Sequence, residues 1–257
     1  MSLIHPRLPA LIMLLLGLGA NAAAVAETLR LGVEGAYPPF NYVDKQGQPA
    51  GFDVDIGNAL CAKMKVQCVW FVQDWDGIIP GLLARKYDAI VSSVSITPQR
   101  EQAVAFSIPY YSYLVQMVAP KGSQLLPTAD SLRGKRVGAQ RGVVAAQWAQ
   151  ARLASSSQIK LYDTQDNANL DLAAGRLDAV LADRAALYAW LQTEDGQRFA
   201  FRGEPIRFSE RDGGKVAVAL RKGSDALRAR FDAAIQAIRD DGTYKAINAK
   251  YFPFSIE

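Results

Sequence analysis

Two stretches of the chain repeat one order of elements, and that repeat limits the folds open to it. The first runs from Gly32 through Tyr37-Pro38-Pro39-Phe40 to Leu82-Leu83-Ala84-Arg85-Lys86-Tyr87-Asp88-Ala89-Ile90-Val91. The second runs from Gly138 through Gly142 to Leu172-Ala173-Ala174-Gly175-Arg176-Leu177-Asp178-Ala179-Val180-Leu181. Each opens with a short apolar strand, Leu29–Val33 or 136–139, which ends in a loop before a helix. Each closes with a helix tail, a basic or glycine turn, Asp-Ala and a further apolar strand. Strand–helix–strand units of this kind build parallel sheets. Two sets predict two similar α/β lobes. Their facing strand ends and helix N-termini suit a small anionic group.

The N-terminus reads as an address. His5 and Arg7 precede the apolar run Leu11-Ile12-Met13-Leu14-Leu15-Leu16-Gly17-Leu18, and small residues follow to Ala24-Val25-Ala26. This is the pattern of a secretory signal over residues 1–26, cleaved after Ala26. The run is short for a membrane span. No Cys near the cut offers a lipid anchor, so a soluble exported product is expected. Export removes His5, the only histidine of the 257 residues. Ser-His-Asp and Cys-His catalysis and His-ligated metals are thereby excluded. Carboxylate, Lys or Tyr chemistry stays open, but the balance favours binding without reaction. The formal charge of +4 is spread along the chain, unlike the clustered charge of a nucleic-acid surface.

The two cysteines, Cys61 and Cys68, stand seven positions apart. An oxidising compartment would close them into a structural disulfide. Two thiols are too few for a metal site, and the spacing is not C-x-x-C. The staple would join a helix over 54–63, with Asp53 as N-cap, to a strand over 69–72. Asp74-Trp75-Asp76 opens a helix over 77–84. Thr97 caps a short helix with Pro98 in its first position. Apolar runs at Tyr110–Ala119 and Lys215–Leu220 read as two strands crossing between lobes. Gly213-Gly214 reads as a hinge element or as a tight turn. Helical spacing of Leu227, Phe231, Ile235 and Ile238 predicts helices over Asp225–Asp240 and Thr243–Tyr251.

The chain resembles the periplasmic polar-amino-acid-binding proteins of ABC importers, closest to the lysine/arginine/ornithine- and histidine-binding type. The matching residues are Tyr37-Pro38-Pro39-Phe40, Gly51-Phe52-Asp53-Val54-Asp55, Cys61 with Cys68, the run Asp88–Thr97 with Arg100, and Ala105-Phe106-Ser107. To these add Gly134-Lys135-Arg136-Val137-Gly138, Gly175–Ala179, Asp241-Gly242-Thr243-Tyr244 and Lys250-Tyr251-Phe252. They span essentially all of the chain after residue 26. The resemblance implies the two-lobed type II periplasmic-binding-protein fold, an α/β architecture of two parallel or mixed sheets flanked by helices and joined by two crossing strands. Lobe one would hold 27–112 with 217–257, and lobe two 113–216.

The resemblance also implies a ligand site. Arg100, forked and always charged, would grip an α-carboxylate. Ser92, Ser93 and Ser95 stand at the neighbouring strand end. The helix N-terminus at Gly142-Val143-Val144 would add N–H groups, and Asp183 would take the α-ammonium. Tyr37 and Trp75 would wall the side-chain pocket, although Trp75 also fits plain core packing. Glu34 stands where relatives carry an acid for a distal cation, and Asp53 would act from further out. Gln140, Arg141, Val143, Val144 and Ala145 depart from the family pattern. Arginine or ornithine leads as ligand, then lysine or histidine. The size of Trp75 and the length of Glu34 keep an arginine-derived opine in view. The expected role is a monomeric, non-enzymatic, cofactor-free periplasmic receptor that docks on a membrane permease. Two other classes share the fold: a periplasmic dehydratase of cyclic dienoate amino-acid precursors, for which Glu34 is the one candidate acid, and a sensor-kinase input domain.

Overall fold

The computed structural model describes residues 27–257, and Ser2 apart from them. The signal segment expected over 1–26 otherwise lies outside the described residues. The first half comprises β1 (Thr28–Val33), the short β2 (Ala36–Tyr37), β3 (Asn41–Val43) and β4 (Pro49–Ala50), then α1 (Phe52–Met64), β5 (Gln67–Val72), α2 (Trp75–Leu83), β6 (Ala89–Ile90), α3 (Pro98–Glu101) and β7 (Val104–Ser112). The second comprises β8 (Val115–Pro120), β9 (Arg136–Gln140), α4 (Val144–Leu153), β10 (Gln158–Tyr162), α5 (Gln165–Ala173), β11 (Ala179–Asp183), α6 (Arg184–Leu191) and β12 (Phe199–Ile206). The chain then returns through β13 (Lys215–Arg221), α7 (Asp225–Asp240) and α8 (Thr243–Tyr251).

Two five-stranded mixed sheets result, in the orders β5-β1-β6-β13-β7 and β10-β9-β11-β8-β12. In each, the first three strands are parallel and the last two antiparallel. The repeat seen in the sequence is therefore a repeat of sheets. It extends to side chains. Arg30 places its backbone N–H, Nε and Nη2 on the Asp88 carboxylate at 3.1, 3.0 and 2.7 Å. Arg136 grips Asp178 with the same three groups at 2.8, 3.1 and 3.3 Å. In both halves an Asp-Ala start is thus tied to the start of the neighbouring parallel strand, β1 or β9.

The paired glycines have a packing reason. A Cβ on Gly32 would lie 2.6 Å from the Tyr87 ring, and one on Gly138 would lie 2.3 Å from Leu177 Cδ1. In each sheet the strand second in order, β1 or β9, lacks a side chain where a residue of the next turn lies across it.

Several local expectations hold. Thr97 Oγ1 accepts the Arg100 N–H, with Pro98 in the first turn of α3. Helices α7 and α8 have the expected bounds. The expected first crossing strand over Tyr110–Ala119 is instead two strands, because the chain leaves the ladder at Tyr113, whose N–H donates to Gly214 O at 2.9 Å. Asp53 is not an N-cap. Gly51 holds that place at φ 117°, where a Cβ would meet Phe40 O at 2.5 Å. Asp53 is the second helical residue and points into the protein. Among the described residues no helix is long and apolar enough to cross a membrane.

Cys61 and Cys68 form a disulfide joining α1 to β5. Replacing both by Ser should lower unfolding stability by about 2–3 kcal/mol in the chain-entropy account of so short a loop. Paired denaturant titrations of wild type and double variant measure it. Coincident midpoints would show that the bridge does not stabilise the fold.

Candidate functional site

The carboxyl ends of the parallel strands converge on one small cavity, lined by Glu34, Tyr37, Trp75, Ser92, Ser93, Ser95, Arg100, Tyr113, Gln140 and Val143. Glu34 directly follows β1, Ser92 closely follows β6, and Gln140 ends β9. Such strand ends are where open α/β sheets place ligands.

Serine geometry ties the first-sheet side together. Ser92 Oγ accepts the Glu34 N–H at 2.9 Å. Ser93 stands at φ 52°, a left-handed conformation that costs a residue with a side chain. Two bonds hold it there: its N–H donates to Tyr110 Oη at 3.1 Å, and its Oγ donates to Asp53 Oδ2 at 2.8 Å. Asp53 also accepts from Asn41 Nδ2 at 2.8 Å and from Tyr110 Oη at 2.7 Å. Burial pushes the Asp53 carboxyl up to about 6, against the pull of those three donors. Asp53 thus acts behind the wall, through Ser93. Behind that lie Phe40, Phe52, Tyr111 and Phe252, with Tyr37 stacked on Phe40 at 5.6 Å between centroids.

Arg100 reaches into the cavity from α3. Nη1 donates to Ser95 O at 2.9 Å and Nη2 to Gly142 O at 3.0 Å. Its guanidinium lies 5.1 Å from the centroid of Trp75, a cation–π arrangement. Burial pulls its ordinarily very high value down to about 10, so it is still a cation at neutral pH. Trp75 is half-buried, lines the cavity and packs on its other side against the cluster of Ile78, Leu82, Tyr87, Ile90 and Val94. A Cβ on Gly142 would stand 3.2 Å from its Nε1, so the second half closes against it.

Glu34 is buried and bridged across the halves. Gln140 Nε2 donates to its Oε1 at 2.5 Å. Burial pushes the Glu34 carboxyl up to about 7, opposed by that bond and reinforced by Asp53, Asp166 and Asp74.

Two expected residues lie off this wall. Val144 is buried in the first turn of α4, and its Cγ2 would be 2.6 Å from a Cβ on Gly213. Asp183 ends β11 and caps α6, with Oδ1 accepting the Ala185 N–H at 2.6 Å. Its Oδ2 is buried and has no partner. Burial pushes this carboxyl up to about 7. Its neighbours include Tyr37 and Tyr113, both on the cavity wall. Val143 lines the cavity and is the N-cap of α4, with no capping hydrogen bond from its side chain. Tyr113 is the lining residue that sequence reasoning missed. The run Tyr110-Tyr111-Ser112-Tyr113 at the crossing was the available signal.

No cavity charge is matched by an opposite one. Among the ion pairs of the described residues none involves Glu34, Arg100 or Asp183. Buried charges are ordinarily paired, so this arrangement is suited to a ligand that carries the missing partners.

Comparison with known proteins agrees with the geometry. The L-arginine-binding protein of Pseudomonas aeruginosa is 45% identical over 235 residues, 91% of each chain. The lysine/arginine/ornithine-binding periplasmic protein of Escherichia coli is 42% identical over 248 residues, 95% of each. A solved structure of a Salmonella typhimurium periplasmic binding protein with high arginine specificity superposes with a TM-score of 0.81 at 33% identity, covering 88% of this chain and 100% of that one. Residues 29–254 match the profile of the bacterial extracellular solute-binding proteins, family 3, and the chain belongs to that family.

Proposed function

We propose that the protein is the periplasmic receptor of an ABC importer, capturing a cationic amino acid, arginine or ornithine first, between lobes 27–112 with 217–257 and 113–216. It acts as a monomer, exported by its 1–26 signal, and delivers ligand to a membrane permease without a chemical step. The observation that carries the reading is the charge inventory. The cavity holds one cation, Arg100, and one acid, Glu34, and a second acid, Asp183, stands next to its Tyr37 and Tyr113 walls with a partnerless Oδ2; none of the three is in an ion pair. A cationic amino acid brings one carboxylate and two cations. Arg100 takes the α-carboxylate, Asp183 Oδ2 the α-ammonium, and Glu34 the distal cation along the Tyr37 and Trp75 walls. The names of the relatives point the same way.

A thermal-shift screen of amino acids and opines tests this, because a ligand that binds only the folded state raises the melting temperature. Arginine and ornithine should give the largest shifts. Shifts only with neutral or acidic compounds would overturn the reading.

Glu34→Gln keeps size and removes charge. It should weaken arginine or ornithine by about 1–3 kcal/mol, while citrulline, neutral at its distal end, loses little. Equal weakening of both would make Glu34 structural. The pH dependence has a definite sign. With Glu34 and Asp183 raised to about 7 in the empty site, protons occupy them below that pH and must leave when cations enter. Arginine affinity should therefore fall as pH drops below about 7, with proton release in calorimetry, and more shallowly in Glu34→Gln. Stability of the empty protein runs the other way. The contribution of each raised carboxyl is fully present below its unfolded value and is lost as pH rises through about 7.

A further inference from the structure

Gln140 sits where a buried acid from one half meets the other half. It is 1% exposed and ends β9, while Glu34 follows β1, 106 residues away in sequence. Its Nε2 donates to Glu34 Oε1 at 2.5 Å and to the backbone O of Asp163 at 3.2 Å. The Asp163 carbonyl oxygen only accepts, so the amide turns its NH2 to it, and the same nitrogen reaches Glu34 Oε1. Its two hydrogens are then used, and its carbonyl Oε1 makes no hydrogen bond among the described residues, on a side chain that lines the cavity. Glu34, also on the cavity wall, likewise makes no hydrogen bond through Oε2 among the described residues.

We infer that Gln140 determines specificity by pairing its Oε1 with Glu34 Oε2 as a two-point acceptor for a distal guanidinium, and thereby couples ligand identity to the approach of the two halves. This rests on the cationic-amino-acid reading and goes beyond it by separating arginine from ornithine and lysine. A guanidinium is planar, carries five N–H donors in a fixed fork and is weakly hydrated. It can place one N–H on each acceptor. An ammonium is a compact, strongly hydrated charge that gains most from the single carboxylate. The bond to Asp163 O holds the amide in place before ligand arrives, so little side-chain freedom is lost on binding. Because one acceptor comes from each half, the guanidinium is fully held only when the halves are together.

The test compares arginine, ornithine and lysine by calorimetry in wild type and Gln140→Met, which keeps length and removes the amide. Arginine affinity should fall roughly 10- to 100-fold, the loss of a hydrogen bond to a charged group. Ornithine and lysine should fall by about threefold or less, so the arginine preference collapses. A second variant, Gln140→Asn, withdraws the amide by one methylene and should shift the ratio in the same direction. It supplies the measurement if Gln140→Met does not fold. An unchanged arginine-to-ornithine ratio in a folded variant overturns the inference while leaving the receptor reading intact. A wild type that binds none of the three ligands overturns the receptor reading itself.

Discussion

Arg100→Ala should abolish measurable binding of every ligand the wild type takes. The guanidinium is held by Ser95 O, Gly142 O and the Trp75 face. Its other N–H groups are free for a carboxylate. All amino acids share that carboxylate, so the effect does not depend on the side chain. Removing one partner of a buried charge pair costs about 2–5 kcal/mol, a loss of roughly 30- to 5,000-fold in affinity. Arg100→Lys keeps the charge and loses the fork, and should fall between wild type and Arg100→Ala. Calorimetry with arginine decides it, alongside the melting temperature of the unliganded variants to separate folding from binding. Wild-type affinity in Arg100→Ala would remove the carboxylate assignment.

The second large effect is on stability. Asp53→Ala should destabilise the unliganded protein by about 3–5 kcal/mol, because it strands buried donors on Asn41, Ser93 and Tyr110. It also removes the support that keeps Ser93 left-handed, so arginine affinity should fall in whatever fraction stays folded. Asp53→Asn should be milder, since an amide oxygen in the place of Oδ2 still accepts from Asn41 and Ser93. The pH sign separates the two proteins further. The Asp53 carboxyl is raised to about 6 in the fold. Its contribution is therefore full below its unfolded value and lost as pH rises through about 6. The stability gap between wild type and Asp53→Asn should widen as pH falls below about 6. Urea titrations at several pH values measure it, and a gap that narrows on acidification would contradict the account of Asp53 as a buried acid.

What the sequence disclosed follows from how far apart the interacting groups lie. The Thr97-Pro98 start, the periodic apolar face of α7 and the two Asp-Ala turns are local signals, and the structure bears them out. The paired sheets were legible because the order of elements recurs, and order survives where individual letters drift. Asp53 was misread because its character depends on Gly51, which starts the helix early and turns the carboxylate inward. Its partners Ser93 and Tyr110 are 40 and 57 residues away. Tyr113 was passed over because an aromatic in an apolar crossing run looks like core until both halves are in place. The bond between Gln140 and Glu34 spans 106 residues, and no spacing rule reaches that far. The seven predicted wall residues other than Gln140 and Val143 all come from the first half. On the second-half side Val144 and Asp183 stand at helix starts, beside the cavity rather than on its wall.

The late return of β13 to the first sheet also sets a timetable for synthesis. β7 pairs only with β13, which lies between it and β6. The second sheet, by contrast, has all five strands once residue 206 exists. A chain growing from its N-terminus therefore holds a finished second half while the first half still has a nine-residue strand with no neighbour. Any product ended between residues 206 and 215 would carry one complete sheet and one with an open seam. The last forty or so residues are what turn a nascent chain with an exposed edge into a protein that can hold a ligand.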